Sequence, residues 1–361
     1  MTHRDLSDRG VWVLIAVVTV LVAMVVLLAV ISGVWLSYTL RTVTAGAFFL
    51  GALSGSIGSF AVLRNQSLLG DALSHAALPG VGVAFLLAGR HIGVLLVGAA
   101  LASLVGVWFI SLVTRTTRIK QDGAMGIVLS GWFALGIAIL ALIQQRPDAS
   151  QSGLDSFIFG QAAAMRVRDV QLLALVGAAV FSVLVLNWKE FKIVTFDPEF
   201  ARATGYPVRA ITAVLLGLIV AAVVMGLQLA GVVLMVGLLI APGIAARQWT
   251  HRLEQMVVLA GVLGAASGGV GAILSALDSD LPTGPMIIIT ASAFVVVSLL
   301  FAPGRGVVWN YLRRRRDRRR YAASHGDLQK PVRDELFVLT PQDLERPRRD
   351  EHRRGVENGL A

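Results

Sequence analysis

Apolar runs of eighteen or more residues recur along this chain almost to residue 303, and no other feature restricts its fold as strongly. About 20 consecutive apolar residues cross the hydrocarbon core of a bilayer as a helix. There the backbone polar groups must be satisfied inside the protein. The apolar segments fall near 11–36, 42–63, 68–88, 92–113, 123–143, 156–188, 210–226, 228–246, 256–276 and 285–303. The stretch 156–188 is too long for one plain span, and its first part, Phe157-Ile-Phe-Gly160, fits a re-entrant or interfacial piece. Segments 210–226 and 228–246 are separated by almost nothing, so one of them is expected to be broken or short. The expectation is an all-α integral membrane protein, a polytopic bundle of about 8–10 transmembrane helices. Only 15% of the residues are charged, against about 25% in soluble domains.

Helices in lipid pack through small residues and polar contacts rather than by hydrophobic collapse. Gly51-Ala-Leu-Ser-Gly55 and Gly264-Ala-Ala-Ser-Gly268 have the GxxxG spacing, and close helix packing explains it in full. There is no cysteine, which excludes disulfides and thiolate metal sites.

Charge sets the expected topology. Residues 304–361 hold fifteen Arg and Lys against nine Asp and Glu, including the run Arg313-Arg-Arg-Arg-Asp-Arg-Arg-Arg320 directly after an apolar segment. That is the positive-inside signature of a cytoplasmic tail touching anionic membrane lipid, and no nucleic-acid partner is implied. Arg115, Arg118 and Lys120, then Lys189 to Arg209, then Arg247 to Arg252 mark further cytoplasmic loops. Gln144–Ser156 and Asp278–Gly284 lack the basic excess and read as external. Both termini are then cytoplasmic. Trp12 to Leu36 is longer than a signal-peptide core and reads as a retained first helix. Three regions follow: residues 1–40 as an extra N-terminal transmembrane helix, 41–303 as the transmembrane domain, and 304–361 as a basic, largely disordered tail.

Asp71 and His75 are the chemical anomaly. Each is ionisable and lies inside an apolar span, where such groups are costly and mark function by default. Their i, i+4 spacing puts both side chains on one helix face, with Ser67, Ser74 and Leu78 on or beside it. Carboxylate with neutral imidazole suits a divalent transition metal such as Mn²⁺, Zn²⁺ or Fe²⁺. Mg²⁺ and Ca²⁺ prefer all-oxygen shells. Two ligands are too few for a closed tetrahedral site, but two copies facing each other would supply two Asp and two His. An incomplete shell also suits an ion that must leave. Pro79 removes the hydrogen bond to the His75 carbonyl and is expected to kink the helix. Transporters place their sites at discontinuous helices at mid-membrane. Other readings stand beside this one: Asp71 as a helix N-terminal charge near the cytoplasmic interface, His75 as a hydrogen-bonding group only, or the pair as a proton relay.

The cytoplasmic segment Lys189–Pro207 differs from an ordinary connector. Asp197 can cap a helix that begins at Pro198, Glu199 falls in its first turn, and Gly205 suits its stop. A short exposed helix of about seven residues is expected between two spans, and it suits docking of a partner. Weaker candidates are Met225 and Met235 near Gln228 as a soft pathway, though Met in a span is usually packing. Asp278 and Asp280 are weak candidates for an outer mouth, in what is equally an ordinary turn. No phosphate-binding Gly-rich loop, His-Glu-x-x-His or Gly-x-Ser-x-Gly pattern occurs, so ATP chemistry is not expected on this chain and it is not expected to be an enzyme.

Leu63-Arg-Asn-Gln-Ser-Leu-Leu-Gly-Asp-Ala-Leu-Ser-His-Ala-Ala-Leu-Pro-Gly80 resembles the signature of the permease subunits of manganese, zinc and iron ABC importers, the ABC-3 family. Asp122-Gly-Ala-Met-Gly-Ile127, Phe133-Ala-Leu-Gly136, Phe196-Asp-Pro-Glu199, Ala203-Thr-Gly205, Gly231 to Pro242 and Asp280-Leu-Pro-Thr-Gly-Pro285 extend the resemblance, in order, over about residues 40 to 303. The resemblance implies a bacterial-type cell-membrane permease working as a pair, with a second copy or a paralogue. It also implies a cytoplasmic ATP-binding subunit, an extracytoplasmic metal-binding protein, and no tightly bound cofactor beyond the transported Mn²⁺, Zn²⁺ or Fe²⁺. Asp71 and His75 would coordinate the ion in transit. Asp197, Pro198, Glu199 and Gly205 would belong to the helix that couples the permease to the ATPase. The competing expectation is a proton-coupled secondary carrier in which Asp71 and His75 relay protons.

Overall fold

The computed structural model describes residues 30, 37–89, 91–145, 165–277, 281–303, 306–309 and 311. The expected first helix near 11–36, the piece Phe157–Gly160, Asp278, Asp280 and the Arg-rich tail lie outside them, apart from single residues. The chain divides into two units, Met1–Asn310 and Tyr311–Ala361. All elements below belong to the first.

Ten helices follow in order among the described residues, and no strand. They are α1 (Tyr38–Leu63), α2 (Leu69–Ala88), α3 (Ile92–Thr116), α4 (Gln121–Gln144), α5 (Val167–Leu186), α6 (Trp188–Phe196), α7 (Pro198–Ala203), α8 (Val208–Trp249), α9 (Leu253–Ser275) and α10 (Thr283–Phe301). Among the described residues eight spans are long and apolar enough to cross a membrane, which matches the all-α expectation.

The centre of the bundle is the antiparallel pair α1 and α9, which among the described spans bury the largest share of their residues. The two GxxxG motifs face each other across it. A Cβ placed on Gly51 would overlap the Gly264 carbonyl, one on Gly264 the Gly51 carbonyl, one on Gly55 the Ala260 carbonyl and one on Gly268 the Ala47 carbonyl. Backbones meet because nothing stands between them, as small residues permit in lipid. Helices α3, α4, α5 and α10 bury only one stripe each and turn the rest outward. Exposed Trp108, Leu135, Leu175 and Ile289 show what that outer surface offers to acyl chains.

Two expectations change in detail. Of the long segment 156–188, the described part from Met165 on holds α5, which starts at Val167: the backbone N–H of Arg166 donates to Asp169 Oδ2 at 3.0 Å and caps the helix there. The charged residues Arg166, Arg168 and Asp169 mark this start in the sequence. The kink expected at Pro79 does not break α2, and the break expected in one of segments 210–226 and 228–246 is present. Helix α2 runs unbroken through Pro79, whereas α8 is interrupted at Gly231, with φ 72° and ψ 176°. Those angles suit glycine alone. Met235 Sδ occupies the space where a Gly226 Cβ would go. Nine residues of straight helix would separate the two by about 13 Å, so the chain folds back at Gly231. This is the junction between the predicted segments 210–226 and 228–246.

The loop expected between α5 and α8 holds more structure than predicted. Besides α7 it contains α6, whose Phe191 and Val194 are buried. Phe191 and Trp188 pack edge-on against Phe60 of α1, at 6.3 and 6.1 Å between ring centroids. The i, i+3, i+6 spacing of Trp188, Phe191 and Val194 is the helical signal in that segment.

Candidate ion site

Helix α1 closes with Asn65 in the left-handed region at φ 55° and the Gln66 N–H donating to the Ala61 carbonyl at 2.9 Å. Asparagine tolerates that conformation. Chain direction reverses within five residues, and α2 begins at Leu69. Arg64, in this turn, donates from Nη2 to Thr212 Oγ1 of α8 at 3.3 Å. The start of α2 therefore lies at the same end of the bundle as the start of α8.

Asp71 stands in the first turn of α2 and His75 one turn later. A carboxylate is favoured at that point by the helix dipole. The pair lies in the first two turns of α2, toward one end of that helix. His75 Nε2 is 3.3 Å from Asp71 Oδ1. A metal bound to both at about 2.1 Å holds its two donor atoms about 3.0 Å apart at a right angle and about 3.4 Å apart at the tetrahedral angle. The pair is thus spaced to chelate one ion with little rearrangement. Both side chains are part-exposed, 20% for His75 and 32% for Asp71, while Ala72, Leu73, Ser74, Ala76 and Ala77 between and beside them are buried. The two ionisable groups form the accessible stripe of an otherwise buried stretch.

Three neighbours complete the description. Ser74 does not face an ion: its hydroxyl donates to the Gly70 carbonyl at 2.8 Å. Ser103 of α3 donates to the Leu73 carbonyl at 3.1 Å and ties α3 to the site helix. Phe133 of α4 stands against the imidazole of His75, ring centroids 4.7 Å apart and planes at 78°. Among the described residues, no group of three or more His, Cys, Asp or Glu could hold a metal within one chain. The proposed soft pathway gains no support: Met235 is fully buried against Gly226.

At the same end of the bundle, the predicted cap forms. Asp197 accepts from the Phe200 N–H at 2.8 Å, Pro198 is the first residue of α7, and Glu199 is in its first turn. Gly205 takes φ 86° just beyond the helix end. The helix is six residues long, one fewer than expected. Ala201 is fully buried beside Val194 and Val208, which seats α7 on α6 and α8. Phe196 and Phe200 stand out, 58% and 56% exposed, with Glu199 and Arg202 beside them.

These features coincide with a known family. The model of the ABC 3 transport family matches residues 36–302. The chain belongs to that family. It is 47% identical over 279 residues to the manganese transport system membrane protein MntC of Bacillus subtilis, a match covering 77% of this chain and 64% of that protein. It is 46% identical over 280 residues to the zinc transport system membrane protein TroC of Treponema pallidum, covering 77% of this chain and 94% of that one. A solved structure of PsaBC from Streptococcus pneumoniae in complex with Fab is similar at a TM-score of 0.69 and 30% identity, covering 79% of this chain and 98% of its counterpart. The ABC 3 match spans both candidate regions, the Asp71–His75 stripe and the α6–α7 segment, and this family member is a polytopic membrane protein with both at one end of its bundle.

Proposed function

We propose that this ABC 3 membrane protein is the permease subunit of an importer for a divalent transition metal, Mn²⁺, Zn²⁺ or Fe²⁺, and that Asp71 and His75 hold the ion in transit. The observation that carries the reading is the 3.3 Å Asp71–His75 pair on the accessible stripe of a buried helix. Relatives named for manganese, zinc and iron transport support the metal class. The same ligands serve all three ions, so selectivity rests on geometry, metal availability and the delivering protein. One chain offers two ligands, so a second copy or a paralogue would complete the shell. The permease body is residues 41–303, close to the range 36–302 that the family model matches. Both termini are assigned to the cytoplasmic side of a bacterial-type cell membrane, from the basic segments that mark that side in the sequence.

Energy would come from a separate cytoplasmic ATP-binding subunit docked on α7, with Phe196 and Phe200 as its apolar contacts, and the ion from an extracytoplasmic metal-binding protein. Asp197→Ala removes the α7 cap at a cost of about 1 kcal/mol. The expected outcome is a severalfold fall in uptake with chain level unchanged. Unaltered uptake and unaltered stimulation of the ATPase would remove the docking role.

Family membership does not favour the proton-coupled carrier. The deciding test is metal uptake by cells treated with a protonophore while ATP is maintained, and by cells depleted of ATP. Uptake should persist in the first and stop in the second. The reverse pattern would assign Asp71 and His75 to a proton relay.

A further inference from the structure

We propose that Phe133 is a positioning residue for the ion site: it holds the imidazole of His75 in the orientation that presents Nε2, beside Asp71, to the ion. The inference rests on the assignment of Asp71 and His75 as ion ligands and adds what orients one of them.

A metal-binding histidine is ordinarily oriented through its second ring nitrogen, which donates to a carboxylate, a carbonyl or a water. His75 lacks that device. Its Nδ1 is buried with no hydrogen-bond partner among the described residues. Only one nitrogen, Nε2, has a polar neighbour, Asp71 Oδ1 at 3.3 Å. That neighbour is itself a ligand and must turn toward the ion when it binds. The orientation of the ring then falls to packing. The Phe133 ring, near-perpendicular at 4.7 Å between centroids, is the aromatic contact in place. Edge-to-face pairs of this kind contribute about 0.5–1.5 kcal/mol beyond simple burial, enough to bias one ring rotamer over its flipped alternative.

The fold fixes Phe133 there through a separate close approach. One turn along, Gly136 of α4 meets α2 where a Cβ would stand 2.7 Å from Leu78 Cβ and 3.2 Å from Pro79 Cδ. One turn further, a Cβ on Gly82 of α2 would stand 2.6 Å from Ile139 Cγ2. Helices α2 and α4 thus run side by side in the same direction, with the pairs His75–Phe133, Pro79–Gly136 and Gly82–Ile139 in register. Phe133 is three residues before Gly136, and His75 four before Pro79, so each pair faces across the same seam. Phe133 is 39% exposed, far more than a core aromatic needs to be. Its ring forms one wall of the accessible stripe that holds Asp71 and His75.

The test is the metal-concentration dependence of uptake, in cells carrying the complete transporter with Phe133→Ala, Phe133→Leu, Phe133→Tyr or His75→Ala, for Mn²⁺, Zn²⁺ and Fe²⁺ in turn. Phe133→Ala and Phe133→Leu should raise the half-saturating concentration roughly tenfold, the scale of losing an orienting partner of a ligand. The maximal rate should stay within about twofold, and Phe133→Tyr should behave as wild type. Leucine preserves packing volume, so Phe133→Leu carries the test if Phe133→Ala fails to reach the membrane. A fall in maximal rate at unchanged half-saturation, or Tyr and Leu variants that behave alike, would overturn the positioning role. The two assignments fail separately. Wild-type uptake by His75→Ala would remove the ion site itself. Loss of uptake by His75→Ala beside wild-type half-saturation for Phe133→Leu would remove Phe133 alone.

Discussion

Asp71→Ala and His75→Ala should each lower metal uptake at least about tenfold, with the chain still present at its normal level in the membrane. Loss of a group that merely orients a ligand costs about 10–100-fold in metal affinity, and loss of a ligand itself should cost no less. The substitution is local. Both side chains are part-exposed, and the His75 ring packs against Phe133, itself exposed. The bundle should therefore survive, and the isosteric Asp71→Asn and His75→Gln give the same comparison with less change in volume. Asp71→Asn also separates two roles of the carboxylate. If Asp71 only completes the first turn of α2, asparagine keeps most of the stability and all of the uptake. If it binds the ion, asparagine loses the charge the ion requires. In a pair of identical chains each substitution removes two ligands at once, which makes the effect larger than in a single-chain site.

Gly264→Leu should prevent the bundle from assembling. A Cβ at Gly264 already overlaps the Gly51 carbonyl, and a Cβ at Gly51 overlaps the Gly264 carbonyl. Backbone cannot rotate aside as a side chain does. The helices α1 and α9 would have to separate, and they are the two most buried spans among the described residues. Overpacking a side chain into a filled core costs about 1–3 kcal/mol or more. Here Gly55 and Gly268 in the same seam would lose their contacts too. The expected readout is loss of the folded chain from the membrane and loss of a thermal transition in detergent. Gly217→Ala is the matched control. It lies in helix α8 with nothing near the position of a Cβ, and alanine in a helix interior is favoured over glycine by about 0.5–1 kcal/mol. Equal behaviour of the two variants would show that the α1–α9 seam tolerates separation.

Much of this was legible in the sequence because lipid enforces long apolar helices, and long apolar helices leave a plain pattern. The Asp71–His75 pair stood out for the same reason: two ionisable groups in an apolar run have few inert explanations. The cap on α7 was legible because Asp197, Pro198 and Gly205 each act locally, through one hydrogen bond, one missing N–H and one permitted φ. What escaped depends on distance in space. The break between segments 210–226 and 228–246 was expected, but its place at Gly231 depends on Met235 folding back onto Gly226, while α2 continues through Pro79. That the site falls in the first two turns of α2 was not legible, because the tight turn at Asn65 sets where that helix begins. Helix α6 was missed since its charged residues masked the buried face formed by Phe191 and Val194. Phe133 was legible only as part of the Phe133-Ala-Leu-Gly136 resemblance, which gives it no role. Its role emerges from a register set by Gly136 against Pro79, fifty-odd residues apart in sequence.

The most direct measurement is the amount of metal held by the purified transporter, with its ATP-binding subunit, after equilibration with radioactive manganese, zinc or iron in turn. The wild-type assembly should retain one ion per pair of permease chains for at least one of these metals, and the His75→Ala and Asp71→Ala assemblies should retain none. An unchanged complement of metal in both variants would contradict the assignment of Asp71 and His75 as the ligands of the ion in transit.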